Sequence, residues 1–272
     1  MQTDQFQVHV AVEEHHWWFR GRRTILLDLA SAILPPSKQR LVVDVGCGTG
    51  ANAAAFQERY ECIGIDISSE AIDAAKRRFG GVEFVCGRAP EDLGPDAGRA
   101  DLFVLADVIE HIEDEFQFIS ELVAAAKPGA FILITVPAEP ELWTDHDVSF
   151  GHYRRYLPGT LREAWQDLPV TEVVLAAFNT RLYQLIKATR AVNRRLGRTS
   201  GAAGTDFAMP LPPINALLTR VFAGESRRLV ESIDSRGLST RRHGVSLIAV
   251  LRREPGEVPV RHRVDAQQGA DR

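Results

Sequence analysis

From Leu41 to Ala51 the sequence reads LVVDVGCGTGA, a mainly apolar run that opens into a turn with glycine at 46, 48 and 50. Such a stretch is a buried strand, a glycine-rich turn and the start of a helix, and it constrains everything downstream. A strand with apolar residues on both faces needs helices on both sides of its sheet. The next residues supply them. Cys62–Ile65, Val82–Val85, Leu102–Leu105 and Phe131–Val136 read as further strands; Ala51–Arg59, Glu70–Phe79 and Glu115–Ala126 read as the helices between them. Ser68 and Ser69 offer N-caps to the second helix and Gly80–Gly81 stops it. Right-handed crossovers then bring the strand C-termini, and any ligand, to one edge. The expected fold is α/β, a doubly wound and mostly parallel sheet.

The second half is less regular. Leu161–Leu168 reads as a helix, Val170–Ala177 as a strand and Val245–Leu251 as a final strand. Between the last two lie amphipathic patterns at Arg181–Leu196 and Ile214–Val230, joined by GRTSGAAGTDFAMPLPP, a Gly/Pro-rich link expected to be mobile. The predicted organisation is an N-terminal helical lid (1–40), a Rossmann-like core (41–178 and 244–253), a helical insertion (179–243) and a disordered tail (254–272).

A formal charge of −4 over 272 residues gives no reason to expect a nucleic-acid partner. Cys47, Cys62 and Cys86 are too few and too scattered for a disulfide framework or a zinc site, and read as buried free thiols. No apolar run approaches the ~18 residues of a membrane span. The first sixteen residues lack a basic segment followed by an apolar one, so a cytoplasmic location is expected.

Chemistry concentrates around the glycine turn. Asp66 closes the second strand, twenty residues after Gly46, where a carboxylate can accept hydrogen bonds from ribose hydroxyls. These features alone also fit a dinucleotide site. Asp44, two residues before the first glycine, favours a cationic ligand end over a pyrophosphate.

Four motifs in order, D-V-G-C-G-T-G, the acid at Asp66, ADVIEH and KPGAFILITVP, span residues 41–136 and resemble the motif series of class I S-adenosylmethionine (SAM)-dependent methyltransferases. The resemblance implies a seven-stranded sheet with its last strand antiparallel, and SAM as cofactor. It implies that Asp44, Gly46, Cys47, Gly48 and Gly50 surround the methionine and ribose portions. Asp66 would bind the ribose and Ile67 pack on the adenine. Arg88 and Ala89, with Gly87, would line the adenine pocket, and Asp107 and Val108 would lie near the transferred methyl. Arg88 departs from the acidic residue often found there.

EEHHWWFRGRR (13–23) is similar to a stretch in a subset of bacterial class I enzymes. There a leading helix covers the cofactor, which implies that Trp18 with its aromatic neighbours excludes water and that Arg20 or Arg23 pairs with the methionyl carboxylate. DVIEH (107–111) resembles ubiquinone-pathway O-methyltransferases, in which acid and histidine side chains can hold a divalent cation. The same letters occur in metal-free relatives, and no metal is assigned here.

For the acceptor, LWTDHDVSFGHYRRY (142–156) follows the fifth strand and so falls on the ligand edge. His146, His152, Tyr153 and His111 are the candidate bases and acceptor contacts. No Asp or Glu occurs from Val173 to Thr205, while Arg181, Lys187, Arg190, Arg194, Arg195 and Arg198 are basic. Residues 181–198 therefore read as a basic amphipathic helix that can meet a membrane surface, cap the core or form a homodimer. The function read from this is methyl transfer to a small-molecule acceptor, secondary-metabolite or lipid- or sugar-linked, at O, N or C. The alternatives are an NAD(P)-dependent oxidoreductase and a non-catalytic SAM-binding partner subunit.

Overall fold

The computed structural model describes residues 10, 12–196, 208–234 and 243–259. The strands are β1 Leu41–Val45, β2 Glu61–Asp66, β3 Glu83–Cys86, β4 Leu102–Ala106, β5 Phe131–Pro137, β6 Val170–Phe178 and β7 Ser246–Arg253. They form one seven-stranded sheet in the order β3-β2-β1-β4-β5-β7-β6. β1 to β5 are parallel, and β7 pairs antiparallel with both β5 and β6. Strand order reverses between β1 and β4, the position where open α/β sheets leave a crevice at their carboxyl ends.

Alternation along each strand divides the core. Val43, Val45, Phe103 and Leu105 face the helix Glu115–Ala125 through Phe118, Ile119 and Leu122. Val42, Leu102, Val104 and Leu133 face the other side. There they meet helix α1 (Trp17–Ile33) through Ile25, Leu26 and Leu29, and helix α2 (Ala51–Gln57) through Phe56.

The link between β6 and β7 carries further helices: Tyr183–Leu196, Pro212–Ala223 and Ser226–Asp234. The expected single pattern at Ile214–Val230 is thus two helices, because Glu225 turns inward. Its carboxylate, 1% exposed at the residue level, accepts from the Arg181 backbone N–H at 2.8 Å and from the Thr180 hydroxyl at 3.2 Å. The helix Pro212–Ala223 lies directly on α1. Phe222 sits so close to Gly21 that a Cβ there would come within 2.4 Å of its ring.

Several expectations at element ends need correction. Leu161–Leu168 is a short helix, Pro158–Arg162, followed by a 3-10 turn, Glu163–Trp165. Cys47 and Cys62 are buried, but Cys86 is exposed because β3 is an edge strand. The tail expected to be disordered from Glu254 is held at its start. The Glu254 N–H donates to the Pro169 carbonyl at 2.9 Å and Arg253 Nη2 to the Gly256 carbonyl at 2.7 Å. Residues 260–272 of that tail, and 197–207 of the Gly/Pro-rich link, lie outside the described residues. Among the described residues no helix is long and apolar enough to cross a membrane.

Candidate active site

A cavity of about 980 Å³ opens at the carboxyl ends of β1 and β4. Its first end is the glycine turn. The N–H groups of Gly46 and Cys47 donate to the Ile65 carbonyl at 2.8 and 3.1 Å, which ties the turn to β2. The three glycines have different reasons to be glycine. Gly46 has φ +66°, and a Cβ there would meet Val108 at 2.7 Å, so internal packing excludes a side chain. Gly48, φ +54°, faces open space and presents bare backbone to the cavity.

Asp66 is held ready beside this turn. Its Oδ2 accepts from the Gly48 N–H at 2.9 Å and its Oδ1 from the Ser68 N–H at 2.8 Å. Each oxygen keeps acceptor capacity for a further hydroxyl. Next to it Ile67 lines the cavity while remaining 80% exposed. Arg88 and Ala89 complete this end, but the Arg88 guanidinium turns toward Glu121 at 3.3 Å.

Asp44 does not line the cavity. Period-two alternation puts its side chain on the face of Val42, behind the turn, where it is 1% exposed. Burial, opposed by the nearby Arg22 guanidinium, pushes its carboxyl up to about 7. Gly50 is also absent from the wall, because it packs on Phe84.

The middle of the cavity is built on β4. Asp107, φ +61°, accepts from the Thr135 hydroxyl at 2.9 Å through Oδ1 and from Arg22 Nη1 through Oδ2. Of the arginines expected here, Arg23 lines the cavity, but Arg20 is exposed and points away. Sequence reasoning passed over Arg22. The available signal was helical spacing, since Arg22 lies one turn from Trp18 on the face that carries the aromatics. Trp17, Trp18 and Phe19 line the cavity too, and Trp18 stacks on Phe222 at 5.0 Å between ring centroids.

At the far end the segment after β5 folds back. The Tyr153 N–H donates to the Glu110 carbonyl and the Tyr156 N–H to the Pro137 carbonyl, at 2.8 and 2.9 Å. This brings His146 and His152 to the wall beside His111. Tyr153, in contrast, is 55% exposed and lies off the cavity, packed under Arg154.

His152 is oriented by a residue that the sequence reading had not singled out. Asp147, fully buried, takes His152 Nδ1 at 2.9 Å and Arg155 Nε at 2.8 Å on Oδ1, and the Thr144 N–H at 2.8 Å on Oδ2. Burial opposes its ionisation, yet the His152 and Arg155 contacts outweigh this and hold the carboxyl well below the usual range. The His111 ring stands edge-on to His152 at 4.7 Å. Enclosure by the cavity walls, and then the neighbouring His152, lower His111 to about 4.

Glu110 lies beside them with both carboxylate oxygens buried and without a hydrogen-bond partner. Burial first, and Asp107 second, raise its carboxyl far above the ordinary value. Glu110, His111 and His152 offer donor atoms within 4.8 Å of one another, a group able to hold a metal ion. Sequence reasoning did not assemble this trio because His152 arrives from a separate loop.

Residues 42–129 match the family model described as a methyltransferase domain. The protein named "Probable tocopherol O-methyltransferase, chloroplastic" from Oryza sativa subsp. japonica is 37% identical over 123 residues, 41% of this chain and 34% of that protein. Ajmaline N-methyltransferase from Rauvolfia serpentina is 37% identical over 108 residues, 37% of each chain. This chain thus matches only about a third of the length of these curated relatives. The plantazolicin methyltransferase BamL, solved in complex with a triazolic desmethylPZN analog and SAH, superposes with a TM-score of 0.55 at 12% identity. That alignment covers 93% of this chain and 91% of that one, and shows a shared fold.

Proposed function

We propose, from the match of residues 42–129 to the methyltransferase-domain family model, that this chain is a class I SAM-dependent methyltransferase that transfers the SAM methyl group to a small-molecule acceptor. The observation that carries this reading is Ile67 at 80% exposure on the cavity wall, next to an Asp66 already oriented by two backbone N–H groups. An apolar side chain left open beside a prepared carboxylate suits an adenine ring and its ribose. Gly46, Cys47 and Gly48 would face the sugar and methionine portions, with Arg88 and Ala89 around the adenine. Arg22 and Arg23 are the arginines that α1 places on the wall, and would face the methionyl carboxylate.

SAM, when bound, supplies a methyl already activated on sulfonium, so the protein's task is alignment and, for an O–H or N–H acceptor, proton removal. His152 is the base this reading selects. With Nδ1 engaged by Asp147, the ring keeps Nε2 to accept a proton from the acceptor. His146, His111, Asp107 and Val108 would position the acceptor around it, and Trp18 with Phe222 would exclude water.

Calorimetric titration with S-adenosylhomocysteine, with NADH in parallel, tests the cofactor. Binding of the former alone supports the reading. Binding of NADH alone overturns it in favour of a redox enzyme. Binding of S-adenosylhomocysteine without turnover over a broad panel of O-, N- and C-acceptors would point instead to a non-catalytic partner subunit.

A further inference from the structure

The helices between β6 and β7 wall the far end of the cavity with Leu185, Ile186, Thr189 and Arg190 from one helix and Leu218 from the next. Their outward sides carry large apolar groups that stand exposed among the described residues. On Tyr183–Leu196 these are Leu185, Val192 and Leu196, 60%, 53% and 56% exposed. The spacing of seven and then four residues puts them on one side of the helix. Leu211, Ile214 and Leu217 follow at steps of three and are 69%, 48% and 60% exposed. The opposite sides bind the protein: Tyr183 is buried, and Asn215 clamps α1 by accepting from the Trp17 N–H at 2.8 Å.

The helices Tyr183–Leu196 and Pro212–Ala223 carry basic residues and no acid. The sequence has no acid from Val173 to Thr205, in a chain whose overall charge is −4. Arg195 and Arg220 are exposed on the same two helices.

We infer that this face seats on an anionic lipid bilayer. Exposed leucine and valine side chains would enter the interface while arginines meet lipid phosphates. A second copy of the chain is a poorer occupant. A two-fold contact places the same patch on both sides, and so sets arginine against arginine on helices that carry no acid of their own. Leu185 belongs both to the exposed face and to the cavity wall, so the bilayer would adjoin the acceptor end. Delivery of an acceptor with an apolar tail along that route rests on the methyltransferase reading; the docking itself does not.

Co-sedimentation with vesicles tests it. The full chain should pellet with phosphatidylglycerol-containing vesicles, weakly with pure phosphatidylcholine, and less as salt is raised. Arg195→Glu should weaken binding to the anionic vesicles roughly tenfold. Val192→Ser combined with Leu196→Ser should abolish it, with the circular dichroism spectrum unchanged. No enrichment on anionic vesicles, or binding indifferent to both variants, would overturn the proposal. So would a dimer in light scattering that the serine variants dissociate. Calorimetry with S-adenosylhomocysteine on the same preparation keeps the readings apart, since cofactor binding without vesicle binding removes the docking proposal alone.

Discussion

His152 Nδ1 and Asp147 Oδ1 are 2.9 Å apart, and Asp147 is completely buried behind the histidine that reaches the cavity. The acid fixes the ring nitrogen on its own side as a donor. If His152 is the base, Asp147→Asn should lower kcat by about tenfold or more, and His152→Ala by about 100-fold or more. S-adenosylhomocysteine affinity should barely change in either. Normal turnover in His152→Ala would return the pair to a purely structural role.

In the proposed reading, Asp66 and Ile67 would divide one ligand between a polar and an apolar contact. Asp66→Ala should weaken S-adenosylhomocysteine binding by about 1–3 kcal/mol through lost hydrogen bonds. Ile67→Ala should cost about 1 kcal/mol of binding by removing apolar contact area. Because Ile67 is 80% exposed in the free protein, its replacement should leave Tm unchanged. An equal loss of Tm and affinity would show that it supports the fold.

Asp44 links stability to pH. Its carboxyl is raised from 3.8 to about 7 by burial, so the folded state holds a proton that the unfolded chain has already released. That contribution is complete below the unfolded value and is lost once the pH has risen through about 7. Asp44→Asn cannot ionise. Relative to the natural chain, the variant should therefore gain Tm as the buffer is changed from about pH 5 to about pH 8. A difference independent of pH would mean that the carboxyl is already ionised in the folded protein at the lower pH.

Phe222 joins the insertion to α1, with its ring 5.0 Å from that of Trp18 and fully buried. Phe222→Ala should cost about 3–5 kcal/mol of stability. Limited proteolysis should then cut first near the N-terminus or within 179–243, since those segments lose their common support.

The sheet was legible because its strands are short apolar runs between turn residues, and the glycine turn with Asp66 reads directly from spacing. Less legible were contacts set by long-range folding. Arg20, Arg22 and Arg23 are chemically alike, and only the rotation of α1 decides that Arg22 reaches Asp107 while Arg20 faces away. Tyr153 and His152 are neighbours, yet only His152 lines the cavity. Asp147 carried no motif of its own, and became a histidine partner only when Arg155 and Thr144 closed the loop around it. Glu110 lay inside a motif, but its burial could not be read from the letters.

The clamp between α1 and the helix Pro212–Ala223 joins residues nearly 200 positions apart, through Asn215 with Trp17 and Phe222 with Trp18. Both elements line the cavity. A shift of either would strain these contacts. Two ligands occupying the two ends would therefore be energetically linked, each altering the affinity of the other by the same factor. The order in which they arrive, and the tendency of one to remain while the other leaves, would be set at this aromatic joint as much as by any residue that touches them.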